Sequence, residues 1–560
     1  MAKPGRKKQE LSASPPAAAA PLLDRVEAVL ERRAGPLVTA LIVFGLIRIA
    51  LTYPILHHTS DEPAHLACGM EWLSEKVYRY EHQHPPLTRV MAALGPYLDG
   101  VRSNRQAEMS WEGTTLLYGR SRYDRTLALA RAGILPFFVL ASLVVYLLGK
   151  RTFGAPGAVI AVFLFTMLPI VLAHAGLATT DMGLTATFAA ASYTLVCLSE
   201  RPRPATAALF GFFLWLMVLS KFSALVYFHA VVLLAALWWL WPNRRDVKSV
   251  VRRAGRSLPF LAAAGAMALV VIWGGYRFSY GETSWFTSRV PFPELFSGID
   301  QVREHNAKGH LTYLLGSQSM DGWWLYFPAL ITVKTPLAVL LLLLAGLIWK
   351  APHRPGSWPH GPLWIVPCAI LAVAIPARIN IGLRHILPAF PFFALLAAGG
   401  ALALREQART RRLAGYFLCA LLLWTAGASL LAHPDYLAYF NAVAGEQPER
   451  IVVDSDLDWG QDTKRLGLRL QQLRAPSVAF TTQVYTSLAY HGFPPVVPNQ
   501  PEFPAPGWNA VSLSQWKLYR LGLQLEEPNL KLWVDRARPI ERVGKSILLF
   551  YFPPGQGRPR

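Results

Sequence analysis

Long apolar runs recur along most of the chain, and a run such as LPFFVLASLVVYLLG at 135–149 cannot be left in water. Eleven runs have the roughly 17–25 residues that a helix needs to cross a bilayer core. They lie near 36–56, 126–148, 156–174, 179–198, 205–220, 222–241, 257–277, 327–349, 361–377, 381–403 and 414–431. The fifth and sixth are separated only by KFS, which admits a re-entrant pair. With 53% of its 560 residues hydrophobic, the chain is expected to be a polytopic α-helical membrane protein rather than a soluble domain.

The formal net charge of +21 would suggest nucleic acid in a soluble protein. Here the basic residues lie between apolar runs, so membrane topology accounts for them and no nucleic-acid partner is expected. One set of short loops, including GKRTFG, SERPRP and LREQARTRR, carries 16 Lys and Arg, while the opposite short loops carry only Lys221 and Arg378. The basic side is therefore read as cytoplasmic, together with the N-terminus. Eleven spans then place the long loops 57–125 and 278–326 and the C-terminal residues 432–560 outside. Residues 1–35 are read as a cytoplasmic tail ending in an interfacial helix, and 36–431 as the membrane domain. Residues 1–20 within it are expected to be disordered. The C-terminal domain reads as α/β: RIVVDSD, SVAFTT and SILLFYF have the pattern of short strands, and DTKRLGLRLQQL that of a helix. Four cysteines, Cys68, Cys197, Cys368 and Cys419, imply no disulfide framework.

Ionisable residues gather at the outer ends of the spans. Asp61 and Glu62, in TSDEPAHLACG, follow the first, and Asp181 opens the fourth. Lys221 separates the fifth from the sixth, Lys334 lies within the eighth, and Arg384 and His385 open the tenth. Charges at membrane depth are costly and usually line a functional cavity. Each also has a local reading. Asp61 and Asp181 suit helix N-caps, Lys221 suits a snorkelling lysine, and Arg384 suits a pair with a carboxylate across the bundle. Their shared side favours chemistry: a carboxylate can take a proton from an acceptor hydroxyl, and Lys and Arg can hold a phosphate leaving group. No nucleotide sugar is available at an outer face, so a transferase there needs a lipid-carried donor.

The ordered set SDEPAHLACG, HPPL, TTDMGLTATFAAA, GWWLYFPALITVKTPLAVLLLLL and NIGLRHILPAFPFFALLAAG resembles the bacterial GT-C glycosyltransferases. The branch concerned is related to protein O-mannosyltransferases and the lipid A aminoarabinose transferase. HPDYLAYFNAVAG and DSDLDWGQDTKRL extend the resemblance, which covers roughly residues 36–475. It implies an inverting transferase that uses a polyprenyl-phosphate-linked sugar at the outer face of the plasma membrane. It also implies Asp61 as catalytic base, with Glu62 supporting it or contacting the acceptor. Lys221, Lys334, Arg384 and His84 would face the donor phosphate, with Asp181, His65 and His385 in support. The aminoarabinose transferases carry Lys-Pro-Pro-Leu where this chain has His84-Pro85-Pro86-Leu87, which counts against aminoarabinose as the sugar. Either His84 is protonated or Lys334 carries the load. No cofactor is required; a divalent metal is neither demanded nor excluded. The acceptor, whether protein, lipid or glycan, is left open.

Asp454, Asp456 and Asp458 imitate the start of an EF-hand loop, but the glycine is displaced to 460 and Arg465 stands where the bidentate Glu belongs. A turn with capping aspartates is the better reading, with an acceptor-binding surface as an alternative. A transporter or flippase for a lipid-linked or small solute is the rival functional class; it would favour an inverted repeat and midplane charges, whereas these charges crowd one face.

Overall fold

The computed structural model describes residues 20–243, 246–349, 361–523 and 530–554. The expected disordered tail lies outside the described residues, apart from Ala20. The fold is mostly helical, and the chain is a multi-pass membrane protein. Six helices are long and apolar enough to cross a membrane, or up to eight if each of two bent pairs is one span. The expected eleven is reached only if two shorter apolar helices are added and one long helix is divided; it is carried forward as a proposal. The shorter two are Pro204–Val218 and Leu363–Ala374. The long helix Leu135–Thr166 breaks at Gly154, where φ is 80°. A Cβ on Gly149 would lie 2.9 Å from Ala158 Cα. Residues nine apart in a straight helix are separated by about 13 Å, so the chain folds back here, in the basic GKRTFG segment.

Exposure sorts the helices. The apolar window of Leu383–Ala408 is wholly buried, whereas Ser223–Asn243, Gly255–Gly275 and Arg412–Leu431 bury about a fifth of theirs (22%, 17% and 22%). Apolar helices left bare on most sides match a lipid environment, with Leu233, Leu237, Trp238 and Trp241 among the exposed residues. Pro204–Val218 packs against Asp181–Glu200 and Val247–Gly275, while Ser223–Asn243 packs chiefly against Gly361–Ala374. The two therefore do not form a hairpin on each other.

The amphipathic segment expected before the first span is the helix Ala20–Arg32, bent by 78° from the helix Ala34–Ala50. The eighth span is not one helix: Tyr326–Lys334 and Leu337–Ile348 meet at 112° across Thr335 and Pro336. Proline forces the preceding residue out of the helical region, and Thr335 is extended (ψ 135°).

The C-terminal segment holds a five-stranded mixed sheet. Its order is Val496–Val497, Val478–Phe480, Gly507–Ser512, Ile547–Phe552, Glu541–Val543, with the first three parallel and the last two pairings antiparallel. Helix Thr463–Gln472 lies where DTKRLGLRLQQL predicts. RIVVDSD is not a strand: Asp454–Asp456 forms a 3-10 turn, with Asp454 at φ 59°. Its polar groups are spent on the membrane helices rather than on a ladder, as described below.

Candidate functional site

A cavity of about 870 Å³ opens where the first loop, the Lys221 turn and the Arg384 turn meet. Asp61, His65, His84, Lys221, Arg384 and His385 line it. Asp61 stands at the N-cap of helix Glu62–Ser74, with Pro63 in the first turn, but its side chain caps nothing. Instead its Oδ2 accepts a 2.8 Å hydrogen bond from Arg384 Nη1, bridging 323 positions of sequence. Asp61 remains 37% exposed, so it is reachable from the cavity. Burial opposes its ionised form, but the Arg384 guanidinium outweighs burial and holds the carboxyl below its ordinary value.

Asp181 opens helix Asp181–Glu200 without capping it. Its Oδ1 accepts from Lys221 Nζ at 2.6 Å, its Oδ2 accepts from Thr179 Oγ1 at 3.2 Å, and Arg384 Nη1 lies 4.0 Å away. Lys221 is only 10% exposed, so it does not snorkel to water. The result is an alternating row of Asp61, Arg384, Asp181 and Lys221, drawn from four separate segments. Its net charge is zero, and both cations reach the cavity wall.

Two expected site residues point elsewhere. Glu62 is 1% exposed and fully engaged: Arg131 grips it through Nε at 2.8 Å and Nη2 at 2.9 Å, and the backbone N–H groups of Thr59 and Ala178 donate to it at 2.8 and 2.9 Å. It does not line the cavity; it anchors the loop that carries Asp61. Lys334 is also 1% exposed. Its ammonium donates to the carbonyls of Leu437, at 2.6 Å, and Asp456, and stands 3.8 Å from the Asp456 carboxylate. These contacts face the C-terminal segment, and Lys334 does not line the cavity.

His84 lines the cavity, but burial pushes its imidazole below the usual value despite the Glu81 carboxylate at 3.3 Å. A neutral His84 cannot replace a lysine as a phosphate counter-charge. Nor can Arg89, which is committed to Glu81, Tyr78 and His65. Because Arg89 Nε can only donate, at 3.0 Å, His65 Nδ1 accepts, and the proton of the neutral ring sits on Nε2. His385 contributes a ring beside Tyr227 and Phe327. Arg303 also lines the cavity, but at its exposed rim and beside Asp300; the buried positive charge therefore rests on Lys221 and Arg384.

The three motif aspartates diverge. Asp456 accepts from Leu383 N and Asp458 from Ser514 N at 2.7 Å. Among the described residues, no group of three or more His, Cys, Asp or Glu is arranged to hold a metal ion.

Residues 128–274 match the family described as dolichyl-phosphate-mannose-protein mannosyltransferase. That segment contains Asp181 and Lys221, and the match supports the GT-C resemblance read from the motifs. No curated protein matches the chain significantly. Among solved structures, ArnT from Cupriavidus metallidurans bound to undecaprenyl phosphate is 13% identical, covering 91% of this chain and 97% of that one at a TM-score of 0.47. The Archaeoglobus fulgidus oligosaccharyltransferase in its apo form is 14% identical, covering 88% and 72% at a TM-score of 0.45.

Proposed function

We propose that the chain is an inverting glycosyltransferase, moving a sugar from a polyprenyl-phosphate-linked donor to an acceptor hydroxyl at the outer face of the plasma membrane. The observation that carries the reading is one cavity wall holding a reachable carboxylate, Asp61, beside two cations, Arg384 and Lys221. Residues 36–431 form the catalytic membrane domain in this reading, and 432–560 an external domain.

Asp61 takes the proton of the acceptor hydroxyl. The acceptor oxygen forms its bond to the anomeric carbon as the bond from that carbon to the phosphate oxygen breaks. The polyprenyl phosphate leaves with the electron pair, and its added negative charge falls on Arg384 and Lys221. That charge is larger in the transition state than in the bound donor, so these contacts act where they accelerate the reaction. Arg384 is shared between base and phosphate. As negative charge grows on the leaving phosphate it offsets the pull of the guanidinium on Asp61, and the carboxylate becomes a stronger base when a proton must be taken. Phe222, Val226, Val373 and Ile379, on the same cavity wall, suit the prenyl chain.

Purified protein incubated with polyprenyl-phosphate sugars and candidate acceptors is expected to release free polyprenyl phosphate. Transport of the intact donor across vesicles, without release, would overturn the reading.

A further inference from the structure

The DSDLDWGQD segment, residues 454–462, has no part in the chemistry above, yet it is wrapped around the turn that presents Arg384. Ser455 Oγ donates to Ile381 O at 2.7 Å. Leu383 N donates to the two Asp456 carboxylate oxygens at 3.1 and 3.2 Å. Between them Gly382 takes φ 100°, and a Cβ there would meet Ser455 Oγ at 2.4 Å, so the nesting of the two loops requires glycine. Lys334 holds the far side of the segment through the Asp456 carbonyl. The fourth contact is Trp459: it is 2% exposed, and the Arg384 guanidinium carbon lies 4.1 Å from its ring centroid.

A guanidinium donates only in its own plane, so whatever fixes that plane aims all five N–H groups. Two of the three nitrogens of Arg384 are already engaged, Nε on Ile381 O at 3.0 Å and Nη1 on Asp61 at 2.8 Å. Nη2 donates to none of the described residues, and the side chain lines the cavity. With an indole against the guanidinium and both Nε and Nη1 engaged, the directions of the two Nη2 N–H groups are fixed.

We infer that Trp459 is a positioning residue: its ring sets the plane of Arg384 so that Nη2 meets the donor phosphate. This rests on the reading of Arg384 as phosphate-facing. The C-terminal segment is then a working part of the membrane site, and a substitution in it acts on lipid-phosphate recognition.

The test compares Trp459→Phe, which keeps an aromatic face, with Trp459→Leu, which keeps only apolar bulk. Trp459→Met replaces the leucine variant if that one does not fold. Polyprenyl phosphate in detergent micelles is the probe, with thermal midpoints measured alongside. A cation–π contact that is only partly desolvated corresponds to about a tenfold change. The aliphatic variant should therefore bind polyprenyl phosphate about tenfold more weakly and raise the donor KM similarly, while Trp459→Phe stays within about threefold. In an Arg384→Ala background the aliphatic variant should add nothing, because the ring then has no guanidinium to hold. An equal loss in both backgrounds, or a lower thermal midpoint with unchanged affinity, would overturn the inference while leaving the transferase reading in place. Wild-type protein that neither binds nor turns over the lipid phosphate would overturn both.

Discussion

Lys221→Met separates the two duties of the inner ion pair. In the structure Lys221 and Asp181 are 2.6 Å apart with side chains 10% and 1% exposed. Removing one partner of such a pair leaves a buried charge and costs about 3–5 kcal/mol. Arg384, 4.0 Å from Asp181, can close on the orphaned carboxylate, so the low end, about 3 kcal/mol, is expected. Lys221→Met/Asp181→Asn replaces the stranded carboxylate by a neutral amide and should restore most of that stability. It should not restore donor binding, because the phosphate still lacks a charge-assisted contact worth about 1.5–3 kcal/mol, or roughly 10–150-fold in affinity. Denaturation midpoints and polyprenyl-phosphate binding on the same two preparations read both quantities. A double variant that recovers donor affinity together with stability would refute the phosphate role of Lys221.

Three further outcomes follow from the same geometry. Glu62→Gln breaks the bidentate grip of Arg131, so the yield of folded protein and the thermal midpoint should fall; turnover per folded molecule should fall far less than for a change at Asp61. For pH, the folded Asp61 carboxyl lies below its unfolded value of about 3.9. Its pairing with Arg384 therefore stabilises the fold fully above that pH, and the contribution is lost as pH falls through the lower folded value. The acid limb of kcat/KM, which reports the donor-free enzyme, should likewise lie below about pH 4, and that of kcat should lie higher because bound phosphate offsets the charge of Arg384. Superimposed limbs would contradict the sharing of Arg384. Reporter fusions at residue 250 should report cytoplasm and fusions at 470 the exterior; a cytoplasmic signal at 470 would mean one span has been miscounted.

Much of the candidate site is legible in the sequence because membranes make charge conspicuous. Asp61, Asp181, Lys221 and Arg384 each stand at the edge of an apolar run, and the structure brings them into one row. What each does there is less legible. Lys334 and Glu62 look equally functional in sequence, but their partners, Asp456 and Arg131, lie 122 and 69 positions away and turn them inward. RIVVDSD has the β-branched residues of a strand, yet the side chains of Ser455 and Asp456 serve the Arg384 turn, a tertiary demand that local propensity does not encode. Trp459 carries no sequence signal beyond its neighbours; only its contact with Arg384 distinguishes it. The break after Lys334 was readable, since Pro336 stands in the span, but a continuous apolar count passes over it.

In the proposed mechanism Asp61 is the base and the cations hold the donor, so the most direct test is Asp61→Asn, with turnover and polyprenyl-phosphate affinity measured on one preparation. Asparagine keeps the size of the side chain and an oxygen for Arg384 but cannot take the acceptor proton. Loss of a general base costs typically about 10²–10⁴-fold in rate. The account predicts turnover reduced by that factor with lipid-phosphate affinity retained or raised, because Arg384 is released from a charged partner. Retained turnover would contradict the base assignment, and lost affinity with intact turnover at saturation would make Asp61 a binding residue instead.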